Sequence, residues 1–109
     1  MSVKVRLNLN GFLPSMKVQV EISEQVYRFV RAQSPEVRKI LREGLRKLEK
    51  ELGDIKGLEA PLDHFYRLRI RSYRIIFRYR SGNPRVIECV FAEKRNLVYE
   101  VFEEMLERG

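Results

Sequence analysis

The chain has very little thiol and imidazole, and these shortages exclude several kinds of site. Its 109 residues include one cysteine, Cys89, and one histidine, His64, so neither an intrachain disulfide nor a Cys/His metal cluster is possible. The apolar stretch VIECVFA around Cys89 indicates a buried thiol in a reducing compartment. No apolar run approaches the roughly 18 residues of a membrane-spanning helix, and the N-terminus lacks a signal-peptide core. We therefore expect a cytoplasmic protein that contacts no membrane and uses no metal or cofactor.

Acidic side chains are missing from one basic stretch, HFYRLRIRSYRIIFRYR, at residues 64–80. The chain carries a net charge of +7, and the six arginines of this stretch lie on what the alternation predicts to be neighbouring strands. Like charges opposite one another destabilise a sheet, whereas phosphates lying across them make the arrangement favourable. Arginine suits this role because its planar fork binds two oxygens and stays charged. The stretch predicts a nucleic-acid surface, and the alternative is a solvated strand face.

Hydrophobic periodicity predicts an α+β fold in a single domain of residues 1–109. We expect a small sandwich: a mainly antiparallel sheet of four or five strands, two N-terminal helices packed on it, and a C-terminal helix. Ser23 and the Ser34-Pro35 pair are typical helix starts. The predicted strands are 17–22, 65–70, 73–80 and 85–92; the predicted helices are 24–32, 35–52 and 96–108; a loop is predicted at 53–63 and a turn at 81–84.

The first residues allow two interpretations. Apolar and polar residues alternate over 3–9, so this segment can pair with 17–22 in a hairpin. Alternatively, residues 1–15 are a dispensable extension and Met16 is the true start.

The register of the basic hairpin follows if Arg71-Ser72 is a two-residue turn. Ile70 then pairs with Tyr73, and the side chains alternate between the two faces of the sheet. One face is predicted to join the core through the pairs Leu68–Ile75 and Tyr66–Phe77, whereas the other face carries Arg67 opposite Ile76, Arg69 opposite Arg74, and Arg78 further along.

The hairpin YRLRIRSYRIIFRY, at 66–79, resembles the central hairpin of the RelE/ParE toxin superfamily, which commonly has the form YRLRVGDYRVIY. IKGLEAPLDHFYRL before it and FAEKRNLVYEVF after it are similar to the family's flanking segments, so the resemblance covers about 16–102. It implies the toxin of a type II toxin–antitoxin pair, in a hetero-oligomer with an acidic RelB-like antitoxin. The implied activity is that of an mRNA endoribonuclease acting with the ribosome, and the alternatives are a ParE-like gyrase inhibitor or a member that binds without cutting.

The same resemblance assigns roles to individual residues. A 2′-hydroxyl would attack the neighbouring phosphate, and arginines would stabilise the charge on its oxygens. Tyr99 would orient or accept the proton, or stack on a base. The general base is left open among Tyr99, Glu93 and His64. The catalytic candidates are Arg67, Arg69, Arg74, Arg95 and Tyr99, and the RNA-binding candidates are Arg78, Lys94, Arg46 and Lys50, of which the last two lie on a helix face that is alternatively only solvated.

Overall fold

A computed structural model describes residues 18–81, 85–95 and 97–108 of the chain. Strands and helices follow one another with short connections. No helix in these ranges is long and apolar enough to cross a membrane. The elements are β1 (Gln19–Ile22), α1 (Glu24–Arg31), α2 (Pro35–Lys47), a 3₁₀ turn (Leu48–Lys50), β2 (Asp54–Gly57), β3 (Tyr66–Ile70), β4 (Tyr73–Arg80), β5 (Val86–Lys94) and α3 (Val98–Arg108).

The described strands form one sheet in the order β1-β5-β4-β3-β2. Neighbours pair antiparallel except β1 and β5, which run parallel. The structure confirms the α+β class, and the fifth strand among the described residues is β2, which the sequence did not predict. The predicted strand at 3–9 and most of the predicted turn at 81–84 lie outside the described residues.

Serine caps begin both N-terminal helices, as the sequence predicts. The Ser23 hydroxyl accepts from the Val26 N–H at 3.2 Å, and the Ser34 hydroxyl accepts from the Val37 N–H at 3.3 Å. The predicted end of the second helix at Leu52 is wrong. Helix α2 stops at Lys47, and after the 3₁₀ turn Glu51 adopts a left-handed conformation with φ of 55°, which leaves Leu52 53% exposed.

The loop predicted at 53–63 is also wrong in its first part, because β2 forms there. Gly53, at φ of 130°, turns the chain back towards the sheet. Residues 54–57 then pair antiparallel with β3, and Asp54 lies opposite Arg69. Only four residues are involved, so their alternation was too short to separate from a loop.

Apolar side chains pack on both faces of the sheet. The larger core lies between the sheet and the first two helices, whereas the smaller one lies under α3 and the 58–65 segment. The larger core includes Val26, Val30, Leu41, Leu48, Leu68, Ile75, Phe77, Ile87 and Cys89; the smaller core consists of Leu62, Ile76, Phe91, Val98 and Phe102.

The hairpin register is confirmed at every predicted pair from Tyr66–Phe77 to Ile70–Tyr73. A β-bulge not foreseen in the sequence then shifts the pairing of β4 with β5 between Ile76 and Phe77. Beyond the bulge, β1 no longer pairs with β5, and a side chain of α1 forms hydrogen bonds with the backbone of β5 instead. The Gln25 amide donates to the Ala92 carbonyl and accepts from its N–H, both at 2.8 Å.

Candidate nucleic-acid interface

Strand alternation places three of the predicted arginines on one face of the sheet. Arg67 lies opposite Ile76, and Arg69 lies opposite Arg74. Ile76 belongs to the smaller core, whereas the intervening Leu68 and Ile75 belong to the larger core. These guanidinium groups therefore lie on the face that α3 shares, away from α1 and α2.

Arg74 is the buried member of this group, with only 8% of its surface exposed. Its Nη1 donates to the carbonyl oxygens of Arg71 at 2.9 Å and Tyr73 at 3.0 Å. Within the described ranges, no carboxylate oxygen lies within 4.0 Å of its guanidinium nitrogens. A charge taken out of water without an oppositely charged partner is costly, so this side chain is an unusual feature of the surface.

The electrostatic surroundings of Arg74 connect it to the other catalytic candidates. Burial is the main cause that lowers its pKa from the ordinary value, and the charges of Arg67, Arg69 and Arg95 lower it further. Tyr99 has the opposite effect on this pKa. The other four side chains that the resemblance singled out are therefore near enough to Arg74 to affect its pKa.

Two backbone features position Arg95 and Tyr99. The Arg95 N–H donates to the carbonyl of Ser72 at 2.9 Å, which ties the end of β5 to the turn of the hairpin. Tyr99 lies in the first turn of α3 and is 38% exposed, and its neighbour Val98 is fully buried in the smaller core. We call Arg67, Arg69, Arg74 and Arg95, with Tyr99, the arginine cluster.

Asp54 joins this cluster from β2, and sequence reasoning missed it. Its Oδ1 accepts from Arg67 Nη1 at 3.0 Å, and its Oδ2 accepts from Arg69 Nε at 2.6 Å. The hydrogen bond from Arg67 is the main cause that lowers the pKa of Asp54, with the charges of both arginines adding to it. One carboxylate therefore offsets part of the charge of four arginines, and the cluster stays cationic. The available signal was an acid directly after Gly53, but its strand was assigned to a loop.

The structure locates the three candidates for a general base. Glu93 lies opposite Arg74 in the pairing of β4 with β5, and its Oε1 accepts from the Lys94 N–H at 2.9 Å. Tyr99 is already part of the cluster. His64 is exposed and precedes β3, five residues before Arg69. His64 lies in a turn only three residues ahead of Arg67, a member of the cluster, so its place in the chain does not exclude it.

The predicted RNA-binding residues are not gathered in one place. Arg78 shares the face of Arg74 but donates to Glu88 Oε1 at 2.8 Å. Lys94 is exposed and lies opposite Tyr73, which packs against the larger core, so it belongs to the other face of the same sheet end. Arg46 and Lys50 line a shallow cavity of about 560 Å³ in the helical layer. The structure therefore places Arg46 and Lys50 on the opposite side of the sheet from the arginine cluster.

The arrangement is suited to binding phosphate and stabilising negative charge. Four guanidinium groups supply fixed cations, one of them buried, and preorganised charge in a partly water-excluded place is the strongest form of such stabilisation. In the described part of the chain, no group of three or more His, Cys, Asp or Glu side chains is placed to bind a metal ion. Asp54, Glu93 and Tyr99 are side chains at or beside these guanidinium groups that can exchange a proton.

Comparison with known proteins gives matches among solved structures. No family model matches the chain, and no curated protein matches it. The RelBE2 toxin–antitoxin complex of Mycobacterium tuberculosis is 18% identical, with a TM-score of 0.64 over 73% of this chain and 100% of that one. The archaeal RelE–RelB complex of Pyrococcus horikoshii is 26% identical, with a TM-score of 0.59 over 73% and 97%. An arginine-to-alanine double mutant of Escherichia coli RelE in the free state is 19% identical, with a TM-score of 0.63 over 85% and 98%.

Proposed function

We propose that this chain, which belongs by its fold to the RelE-like toxin superfamily, is the toxin of a type II toxin–antitoxin pair and cuts mRNA on the ribosome. The observation that best supports the proposal is the burial of Arg74 beside other arginines. A buried guanidinium group with backbone carbonyls as its hydrogen-bond acceptors, and three further arginines close by, has unused capacity for an anion. A phosphodiester provides that anion, and its two free oxygens match the arginine fork.

The proposed reaction is an internal transfer at one phosphate of the mRNA. The 2′-oxygen attacks the adjacent phosphorus, its proton passes to a base, and the bond from phosphorus to the 5′-oxygen breaks. The leaving oxygen takes a proton, so the products are a 2′,3′-cyclic phosphate and a 5′-hydroxyl. Arg74, Arg69 and Arg95 stabilise the extra charge on the phosphate oxygens, and Glu93 or Tyr99 exchanges the protons.

An acidic antitoxin is the proposed partner in the cytoplasm. The structure from M. tuberculosis is a toxin–antitoxin complex, and that from P. horikoshii is a complex of RelE with RelB. The net charge of +7 suits an acidic protein that shields the basic surface. We expect a hetero-oligomer in which the toxin cannot reach the ribosome.

The test uses purified toxin, ribosomes and a defined mRNA with Arg74→Ala. Removing one preorganised donor from a charge-stabilising site typically costs about 10²–10³ in rate, and we expect a loss at least that large. Arg28→Ala is the matched control, because Arg28 is exposed, pairs only with Glu24 among the described residues, and lies on α1. Full cleavage by Arg74→Ala, with the control unchanged, would show that the site is assigned wrongly.

The same assay separates the alternatives. The ParE-like alternative predicts intact mRNA together with inhibition of DNA gyrase by the purified chain. The alternative of a member that binds without cutting predicts intact mRNA and retained ribosome binding. We consider this last alternative because most of the cluster consists of arginines, which cannot easily accept a proton and so cannot serve as the general base.

A further inference from the structure

Asp54 occupies part of the arginine cluster, and the proposed reaction gives it no role. Its two carboxylate oxygens each accept from a different guanidinium group, Arg67 at 3.0 Å and Arg69 at 2.6 Å. A phosphate bound between the same two groups would present two oxygens in the same way, because guanidinium groups donate to carboxylate and phosphate oxygens alike. The carboxylate therefore occupies the position that a ligand phosphate needs.

This internal ion pair is open to exchange. The side chains of Asp54 and Arg69 are 41% and 53% exposed, whereas that of Arg67 is 16% exposed. Water therefore reaches the carboxylate from the side of Asp54 and Arg69, and ion pairs that water reaches are weak. Arg67 Nη1 also donates to the backbone carbonyl of Asp54 at 3.0 Å. That bond does not involve the carboxylate, so Arg67 stays in place when a phosphate displaces the side chain of Asp54.

We propose that Asp54 determines specificity by competing with RNA phosphates for Arg67 and Arg69. Loose single-stranded RNA must displace this carboxylate and therefore binds weakly. An mRNA that the ribosome already positions supplies further contacts and overcomes the competition. This inference depends on the proposed function for the identity of the polyanion, but not on cleavage.

The size of the effect follows from counterion release. For single-stranded nucleic acid, the logarithm of affinity falls with the logarithm of salt concentration by about 0.7 for each phosphate neutralised. Asp54→Asn keeps the shape and one acceptor oxygen but removes the competing charge. We expect the salt slope to steepen by about 0.7, which at about 0.1 M salt corresponds to about fivefold tighter binding.

The experiment measures fluorescence anisotropy of a labelled single-stranded RNA whose 2′-positions are methylated, so that it cannot be cut. Wild type, Asp54→Asn and Glu24→Gln are titrated over a series of salt concentrations. Glu24→Gln is the matched control: it also turns an acid into an amide and releases an arginine, but on α1 in the helical layer. Tighter binding and a steeper slope for Asp54→Asn alone support the proposal. Binding by Asp54→Asn that is equal to or weaker than wild type overturns it.

A second measurement guards against an indirect effect of the substitution. In a chain that carries Arg67→Gln and Arg69→Gln, Asp54 has no arginine for which to compete with RNA. Adding Asp54→Asn to that chain should therefore change its affinity for RNA by less than twofold. A persisting gain of about fivefold would overturn the proposal, because the charge would then act elsewhere. The protein could also fail to cut ribosome-bound mRNA while Asp54→Asn still binds RNA more tightly. That result would reject the proposed cleavage but support the role of Asp54.

Discussion

At the scale of single residues, the cost of burying Arg74 is the clearest sign of function. Its guanidinium group donates to two carbonyl oxygens, and burial, followed by the charges of three other arginines, lowers its pKa. A purely structural arginine is expected to have a carboxylate partner, since a buried charge is otherwise destabilising. The proposed function accounts for this arrangement, because a phosphate would supply the missing anionic partner.

We expect Glu93→Gln to identify the proton acceptor. Glu93 lies opposite Arg74, and general-base catalysis is commonly worth about 10²–10⁴ in rate. If Glu93 is the base, single-turnover cleavage on the ribosome falls by about that factor, whereas binding of the methylated RNA changes little.

Tyr99→Phe, which removes only the hydroxyl, is the companion variant. A full rate for Glu93→Gln together with a large loss for Tyr99→Phe would transfer the role to Tyr99. Glu100→Gln, at the next position of the same helix turn, controls for charge.

The sequence predicted which face of the sheet Arg67, Arg69 and Arg74 occupy, because one simple rule places them. A two-residue turn fixes the register of a hairpin, and alternation then decides which face each arginine occupies. Asp54 was missed for the opposite reason. Its position follows from a short strand that forms only because β3 is there to pair with it, and such non-local support leaves no pattern in four residues.

At the scale of elements, the turn between β3 and β4 has an unusual backbone conformation close to the site. Arg71 has φ of 56°, and a left-handed conformation costs an ordinary residue about 1 kcal/mol. The Arg71 carbonyl also accepts from Arg74. Arg71 is therefore both the strained residue of the turn and the residue whose carbonyl orients the buried guanidinium group of Arg74.

We expect Arg71→Gly to stabilise the fold slightly. Glycine adopts positive φ without a steric cost, so the free energy of unfolding in urea should rise by up to about 1 kcal/mol. Ser72→Gly is the matched control, because Ser72 is not among the described residues with positive φ, and it should lower stability instead. Equal effects of the two substitutions would show that the conformation of Arg71 is not strained.

The position of α3 depends on a small aromatic group. Phe102 is 1% exposed and contacts Phe65 and Phe91, with ring centroids 5.0 Å and 5.7 Å away. This packing is what brings Tyr99, one turn earlier, to the edge of the arginine cluster. The helix is thus both part of the smaller core and the support for one catalytic candidate.

Phe102→Ala should therefore change both stability and activity. A buried Phe→Ala substitution typically costs about 3–5 kcal/mol, measurable as a lower free energy of unfolding in urea. Cleavage should also fall under conditions where the sheet remains folded, because Tyr99 loses its support. Met105→Ala is the control, since Met105 is 37% exposed on the same helix, and a similar loss from it would contradict the assigned packing.

Other elements show where sequence reasoning reaches its limit. The caps at Ser23 and Ser34 are local, and both were predicted. The parallel pairing of β1 with β5 joins segments more than sixty residues apart, and no local pattern records such a choice. The bulge after Ile76 is also non-local, because it depends on both strands and on the Gln25 amide that binds beyond it.

At the scale of the whole molecule, the sheet separates two kinds of surface. The face under α1 and α2 contains the larger core, including the thiol of Cys89. The face under α3 contains the smaller core and, beside it, the arginine cluster. A rigid apolar layer on one side therefore supports a charged site on the other.

The larger core should make the fold sensitive to alkali. Burial raises the pKa of Cys89 from 9.0 to about 12. Burial, followed by the hydrogen bond to Glu51, raises the pKa of Tyr79 from 10.0 to about 12. In both cases the unfolded chain releases its proton first, so the stability is complete below about pH 9 and is lost as the pH rises towards 12.

We expect the free energy of unfolding in urea to fall between pH 9 and pH 12, and part of the slope to be due to Cys89. A proton that only the folded state retains contributes about 1.4 kcal/mol per pH unit to the free energy of unfolding. Cys89→Ala removes this proton, so the decline should become less steep by roughly that amount. The same substitution should lower stability at neutral pH, because it leaves a cavity in the core. Tyr79→Phe should flatten the decline only above about pH 10, because its unfolded pKa is higher. Parallel curves for wild type and Cys89→Ala would mean that the thiol ionises as easily in the folded protein as in the unfolded chain, and that water reaches this part of the core.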